Sequence, residues 1–451
     1  MRKERARAPL AERFGLHRRE LRAWAMYDWA NSAFMTTIIA VVFPIYYAEV
    51  AADKLAPNAA AFRFSIATTI ALTVVALISP LLGALADYAG IKKRLLFVFQ
   101  SIGVTACALM VLIGRGDWLL ALILFVLGNI GVSGAFTFYD SLLPHVARSD
   151  ELDRVSTAGY ALGYLGGGLL LALNLVIIEK PSWFGLADTA TASRLSFLSV
   201  AIWWALFSIP LFRRVPEPPR QLDEREGARR NALIAAFARL GGTFRELARF
   251  KQALLMLLAF LLYNDGINTI IRMASLYGAQ IGIAQHHLIL ALLMVQFIGI
   301  PFAFLFGRMA AWVGAKRAVF ISLAVYMVVS VLGYYMTTAL HFYLLAILVG
   351  MVQGGSQALS RSLFATMIPR YKSSEFFGFF AVFEKFAGIL GPLLFAAAVG
   401  QTGSSRAAIL SIIFFFVVGA ALLAFVNVPE GERLAREAER HAREAAESTR
   451  Q

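Results

Sequence analysis

The stretch Gly83-Ala84-Leu85-Ala86-Asp87-Tyr88-Ala89-Gly90-Ile91-Lys92-Lys93 decides the fold, because it returns without a gap 224 residues later as Gly307-Arg308-Met309-Ala310-Ala311-Trp312-Val313-Gly314-Ala315-Lys316-Arg317. A second pair of segments repeats at a shift of 237 residues: Asp28-x-x-Asn31-Ser32 returns as Asp265-x-x-Asn268-Thr269. A shorter first outside loop in the second half absorbs the difference between the two shifts. The chain is therefore a duplicated unit, and transporters are commonly built from such repeats with the solute site near the midplane between them.

Around these repeats 59% of residues are apolar and only 16% charged, against about a quarter charged in a soluble domain. A hydrocarbon core takes about 20 apolar residues per spanning helix, and twelve runs of that order occur, six on each side of a polar interruption at 213–252. The expected organisation is a basic N-terminal segment (1–23), a first six-helix bundle (24–212), a linker (213–252), a second six-helix bundle (253–427) and a tail (428–451). Within the linker, Leu233, Ile234, Phe237, Leu240, Phe244, Leu247 and Phe250 recur at helical spacing and predict an amphipathic helix, either in the cytoplasmic membrane interface or packed under the bundle. The tail, rich in Arg, Glu and Ala, has helix-forming composition but no apolar stripe, and reads as a solvated cytoplasmic helix or a disordered tail.

The net charge of +14 does not point to nucleic acid. With the N-terminus inside, 33 of the 42 Lys and Arg fall in cytoplasmic segments and six outside, which is the positive-inside bias of an even number of spans with both ends cytoplasmic. No small-residue cleavage site follows the first apolar run, so a removable signal peptide is not expected. The single cysteine, Cys107, excludes an intramolecular disulfide or a cysteine metal cluster. There is no HExxH and no GxxxxGK[ST], and the six histidines are scattered, with the one adjacent pair, His286-His287, in an expected outside loop. Neither an enzyme, a metal site, a cofactor nor an ATP motor is expected.

Charged and amide side chains inside these runs are the candidate site, since a charge at the centre of a membrane helix costs roughly 2.5 to 3.5 kcal/mol on insertion scales and usually faces a solute or proton path. Asp28, Asn31, Ser32 and Met35 share one face of the first helix, with Tyr27 beside them; Asp265, Asn268, Thr269 and Arg272 do the same on the seventh. Helix 4 adds Asn129, Ser133 and Asp140, helix 5 Tyr164, and helix 10 Gln353, Gln357 and Arg361. Helix 11 carries Glu384 and Lys385, neighbours about 100° apart that do not both face one cavity squarely. An amino acid needs a cation for its carboxylate, such as Arg272 or Arg361, and an acceptor for its ammonium, such as Asp28 or Asp265. The competing reading pairs Asp140 with Arg361 as a structural contact between the halves.

The pattern at Gly83, Leu85, Ala86, Asp87, Gly90, Lys92, Lys93 and Arg94 resembles the loop motif between helices 2 and 3 of the major facilitator superfamily, and the resemblance extends over the whole chain. It implies an all-α membrane fold of twelve helices in two pseudo-symmetric bundles. It also implies a latch, in which Asp87 and the basic residues close the cytoplasmic side through charge pairs that break on switching. A narrower set is similar to the bacterial permeases related to the autophagy-linked vacuolar amino-acid effluxer of fungi: Tyr27 to Phe34, Gly159 to Gly168, Gln357 to Ser362 and Gly391-Pro392-Leu393. What this implies is secondary transport of amino acids or similar small zwitterions across a bacterial inner membrane by a monomer, with lipids around it; protons are the expected coupling ion on the separate ground that carboxyl groups lie buried in the spans. A buried Asp28 or Asp265 is the expected proton carrier. A multidrug or toxic-metabolite exporter and a lipid-translocating or sensor protein are the alternatives.

Overall fold

The computed structural model describes residues 10–218, 247–388, 390–402 and 405–448, and among them every regular element is helical. The first half comprises α1 (Arg19–Ala51), α2 (Pro57–Ala89), α3 (Lys92–Leu109), α4 (Trp118–Val146), α5 (Leu152–Glu179) and α6 (Thr189–Arg214). The second comprises α7 (Lys251–Gln280), α8 (Gln285–Val313), α9 (Ala315–Tyr334), α10 (Ala339–Thr366), α11 (Ser373–Phe386), α12 (Leu390–Thr402), α13 (Ser405–Ser411) and α14 (Ile413–Phe425). Among the described residues, eleven segments are long and apolar enough to cross a membrane; α1 to α10 supply ten, and Ala408–Phe425, which joins α13 to α14, is the eleventh.

The eleventh of the twelve apolar runs, at 376–399, is not one helix. It is interrupted after Phe386 by a turn at Ala387 and Gly388, with Gly388 at φ 117°. The outer half of α1 also departs from ideal geometry. Pro44, which cannot donate a backbone hydrogen bond, is flanked by π-helical stretches at Phe34–Val41 and Tyr47–Ala51.

The halves meet mainly through α2 with α11 and α5 with α8 and α10. At the α2–α11 crossing a Cβ on Gly83 would lie 2.2 Å from the carbonyl oxygen of Ser374, so only glycine permits this approach. These crossings lie toward the end that carries most of the Lys and Arg and both described termini, called here the basic end. There residues 10–18 strap the two halves together. Phe14 packs on Phe304 of α8 at 4.7 Å between ring centres, while Arg18 donates to Glu151 at 2.6 Å beside the start of α5.

The tail is helical, one of the two expected forms, but it is docked rather than solvated. It forms α15 (Val428–Ser448), with Gly431 and Ala435 buried against the second half and Glu439 accepting a hydrogen bond from the backbone N–H of Arg370 at 2.9 Å. Its docking stripe is Val428, Gly431, Leu434, Ala435 and Ala438, an apolar face at helical spacing that the sequence reading did not expect. Most of the expected linker helix, 219–246, lies outside the described residues; Leu247 and Phe250 are buried, the latter edge-on to Phe376.

Candidate functional site

A cavity of about 740 Å³ lies between the halves, with walls from both. That is within the range of small-molecule sites, about 300 to 1,000 Å³. At its end nearer the basic face stands a cluster that joins the halves. Arg361 of α10 places Nη1 2.8 Å from Asp140 of α4 and Nη2 3.5 Å from Asp28 of α1. Its Nε donates to the Ser156 hydroxyl at 2.9 Å and Nη2 to the Ser156 carbonyl at 3.0 Å, both on α5.

Aromatic rings surround this guanidinium. It stands 4.7 Å from the ring centre of Tyr160 and 4.9 Å from that of Trp24, within cation–π range. Trp24 stacks on Tyr139 at 4.4 Å, and the Tyr139 hydroxyl donates to Asp28 at 2.8 Å. Gly159 explains how α5 reaches the cluster, since a Cβ there would lie 2.4 Å from the Asp28 carboxylate. Two carboxylates thus share one guanidinium, and the cluster carries one negative charge when all three groups are ionised.

The first-helix face turns slightly from its expected phase. Asp28, Ser32, Met35 and Thr36 line the cavity, whereas Asn31 and Tyr27 do not and are buried within the first half. Tyr27 packs against Tyr139 at 4.9 Å. Asn129, Ser133, Asp140, Tyr164, Gln353, Gln357 and Arg361 all line the cavity. So do both Glu384 and Lys385, contrary to the 100° argument, because the long side chains lean together to 3.6 Å.

The seventh helix differs most. Asp265 does not line the cavity and is fully buried. Its carboxylate accepts hydrogen bonds from the backbone N–H groups of Gly388 at 2.7 Å and Gly391 at 3.0 Å. It thereby caps the start of α12 and explains why the apolar run breaks where it does. The cavity-facing residues near it are Asn264, one residue before, which the sequence reading missed, and Asn268, three residues after, whose Nδ2 donates to the Ala387 carbonyl at 3.0 Å. The Arg272 side chain lies outside the described residues. Gln296 of α8 and Ser156 also went unnoticed, since neither belongs to a repeated motif.

Below the cavity the basic end is closed by a second polar cluster. Asp87 accepts from the backbone N–H of Ser374 at 3.3 Å and of Glu375 at 2.8 Å, the unsatisfied first-turn donors of α11. Lys92 holds the same carboxylate at 2.7 Å, donates to Ser373 at 2.7 Å and stands 2.9 Å from His145 Nε2. Lys93 instead serves its own half, donating from Nζ to the carbonyls of Phe212 at 3.0 Å and Val215 at 2.5 Å, while Arg94 is exposed. Gly90 ends α2 at φ 65°. In the second copy Ala311 replaces the acid, and Lys316 donates to the carbonyls of Ala424 and Val426 at 2.8 and 2.7 Å.

Residues 57–436 match the family model described as vacuole effluxer Atg22 like. The chain is 38% identical over 408 residues to YxiO of Bacillus subtilis (strain 168), an uncharacterized MFS-type transporter, covering 90% of this chain and 94% of that protein. It is 27% identical over 316 residues to autophagy-related protein 22 of Yarrowia lipolytica, covering 63% of this chain and 52% of the fungal protein. Among solved structures, the proton:xylose symporter XylE superposes with a TM-score of 0.68 at 14% identity, covering 91% of this chain and 95% of XylE, a likeness of fold. The chain belongs to the vacuole effluxer Atg22-like family, and so to the major facilitator superfamily of integral membrane transporters.

Proposed function

We propose that this transporter moves amino acids or similar small zwitterions by alternating access, with protons as the coupling ion. The observation that carries the reading is the cluster of Asp28, Arg361 and Asp140 at the cavity's floor, where two carboxylates share one guanidinium. A site with one uncompensated negative charge suits an ammonium or a proton, and exchange of one for the other couples their fluxes. A proton crossing 100 mV releases about 2.3 kcal/mol. Asp28 is the preferred carrier, because Asp265 is committed to the α12 N-terminus and stands outside the cavity.

The positive-inside bias and the bacterial relative support a cytoplasmic membrane with both termini inside. In that orientation the closed basic end makes this an outward-facing state, and Asp87 on the α11 N-terminus is the latch that switching must release. Phe64, Phe125, Phe136, Phe260, Phe342 and Phe380 also line the cavity, and this apolar wall favours the exporter of lipophilic solutes as the second reading. Competition separates the two. Counterflow in proteoliposomes inhibited by neutral amino acids and indifferent to lipophilic cations supports the first, and the reverse pattern supports the second.

A further inference from the structure

Every nitrogen of the Arg361 guanidinium is already engaged: Nη1 by Asp140, Nη2 by Asp28 and the Ser156 carbonyl, Nε by the Ser156 hydroxyl. A substrate carboxylate arriving there meets two carboxylates before it meets a free donor. The cluster repels the group that Arg361 alone would attract, and another cation in the cavity has to take that role.

Lys385 is such a cation. It lines the cavity, and its one partner among the described residues is Glu384 at 3.6 Å, beyond ordinary hydrogen-bond length. Asn264 stands at the same level. Asn268, one turn further along α7, bonds the carbonyl of Ala387 at the end of α11. Both helices start at the basic end, so stepping back four residues, about 6 Å, brings Asn264 level with Glu384 and Lys385. Asn264 lines the cavity at 2% exposure, and its amide oxygen has no hydrogen-bond partner among the described residues. A buried amide left unpaired in this way marks a place where a ligand or water completes the bonding.

We propose that the substrate's carboxylate docks on Lys385, with Asn264 bonding an adjacent polar group, while its ammonium faces Asp28 and Asp140. This rests on the zwitterion reading above and assigns the two ends of the molecule to opposite halves. Lys385 and Asn264 belong to the second half, Asp28 and Asp140 to the first. A bound amino acid then bridges the halves, whereas an amine without a carboxylate engages one half only.

The test is binding of alanine, leucine and serine, each beside its carboxamide, to the purified full-length protein by calorimetry. At least one acid is expected to bind the wild type about ten- to a hundredfold more tightly than its amide, the value of a charge-assisted hydrogen bond. Lys385→Gln reduces that preference to within about twofold while leaving amide binding in place, Lys385→Arg restores it, and Asn264→Leu weakens acid and amide together. A Lys385→Gln protein that still binds an amide and keeps the acid preference overturns the assignment and leaves the amino-acid reading standing. Wild-type protein that binds none of these compounds overturns both.

Discussion

Arg361 in the second half and Asp140 in the first form an ion pair of 2.8 Å, and both side chains are largely hidden from solvent. Such a pair holds the halves together at the floor of the cavity, and its break is a necessary part of any movement that opens the basic end. Each partner is costly once left alone.

Removing one partner strands a buried charge, at a cost of about 3 to 5 kcal/mol. Asp140→Asn and Arg361→Gln are each expected to lower the melting temperature in detergent and to abolish transport. Because Asp28 shares the same guanidinium, only the triple variant that adds Asp28→Asn holds no unpaired charge, and it is expected to recover a large part of the stability but none of the transport. Thermal melts of the single, double and triple variants measure this directly.

Asp87 meets the first-turn N–H groups of α11, and a carboxylate at a helix N-terminus contributes about 0.3 to 2 kcal/mol. Asp87→Asn is expected to shift the protein toward the form open at the basic end. The readout is alkylation at Ser79→Cys, a buried position where α2 lies against Gly378 of α11. That cysteine should react faster when Asp87→Asn is added. Equal rates remove the latch role.

Asp265 caps α12, so its loss is one of architecture. Each hydrogen bond to a charged group contributes about 1.5 to 3 kcal/mol. Asp265→Asn is expected to reduce thermal stability by an amount of that order while the pH dependence of transport survives. Asp28→Asn should do the opposite, sparing the fold and flattening the pH dependence. Transport assays across a pH gradient, run beside melts, distinguish the two carboxylates.

Glu151 gives a pH signature at the basic end. Burial raises its pKa, but the side chain and backbone N–H of Arg148, with Arg18, outweigh that and hold it near 2. A carboxyl with a depressed folded value stabilises above its unfolded value, about 4.3, and that contribution is lost as pH falls toward 2. The wild type should therefore melt above Glu151→Gln at pH 6, and the gap should close between about pH 4.3 and 2. A gap independent of pH contradicts the assignment.

The duplication, the spans and the polar stripes of α4 and α10 were legible because each is a matter of spacing along one helix. Gln353, Gln357 and Arg361 fall on one face and line one cavity. What escaped depends on phase and on partners from other helices. Asn264 and Asp265 are neighbours about 100° apart, and the repeat draws attention to the acid although the amide faces the cavity. That Asp265 caps α12 follows only once the eleventh run is seen to break at Gly388, and a continuous apolar stretch hides that break. Asn31 turns away from the cavity for a similar reason, since the face that follows Asp28, Ser32 and Thr36 leaves it on the flank. For the C-terminal helix it was the docking that escaped, because Val428, Leu434, Ala435 and Ala438 are a sparse stripe among charged residues.

The most direct test of the central claim is exchange of a mixed amino-acid pool across proteoliposomes, followed by mass spectrometry, with Asp28→Asn measured in parallel. The account predicts selective exchange of a subset of amino acids by the wild type, accelerated by a pH gradient, and exchange by the variant that is lost or indifferent to pH. Folded wild-type protein that exchanges no amino acid, or a variant that responds to the gradient as the wild type does, contradicts it.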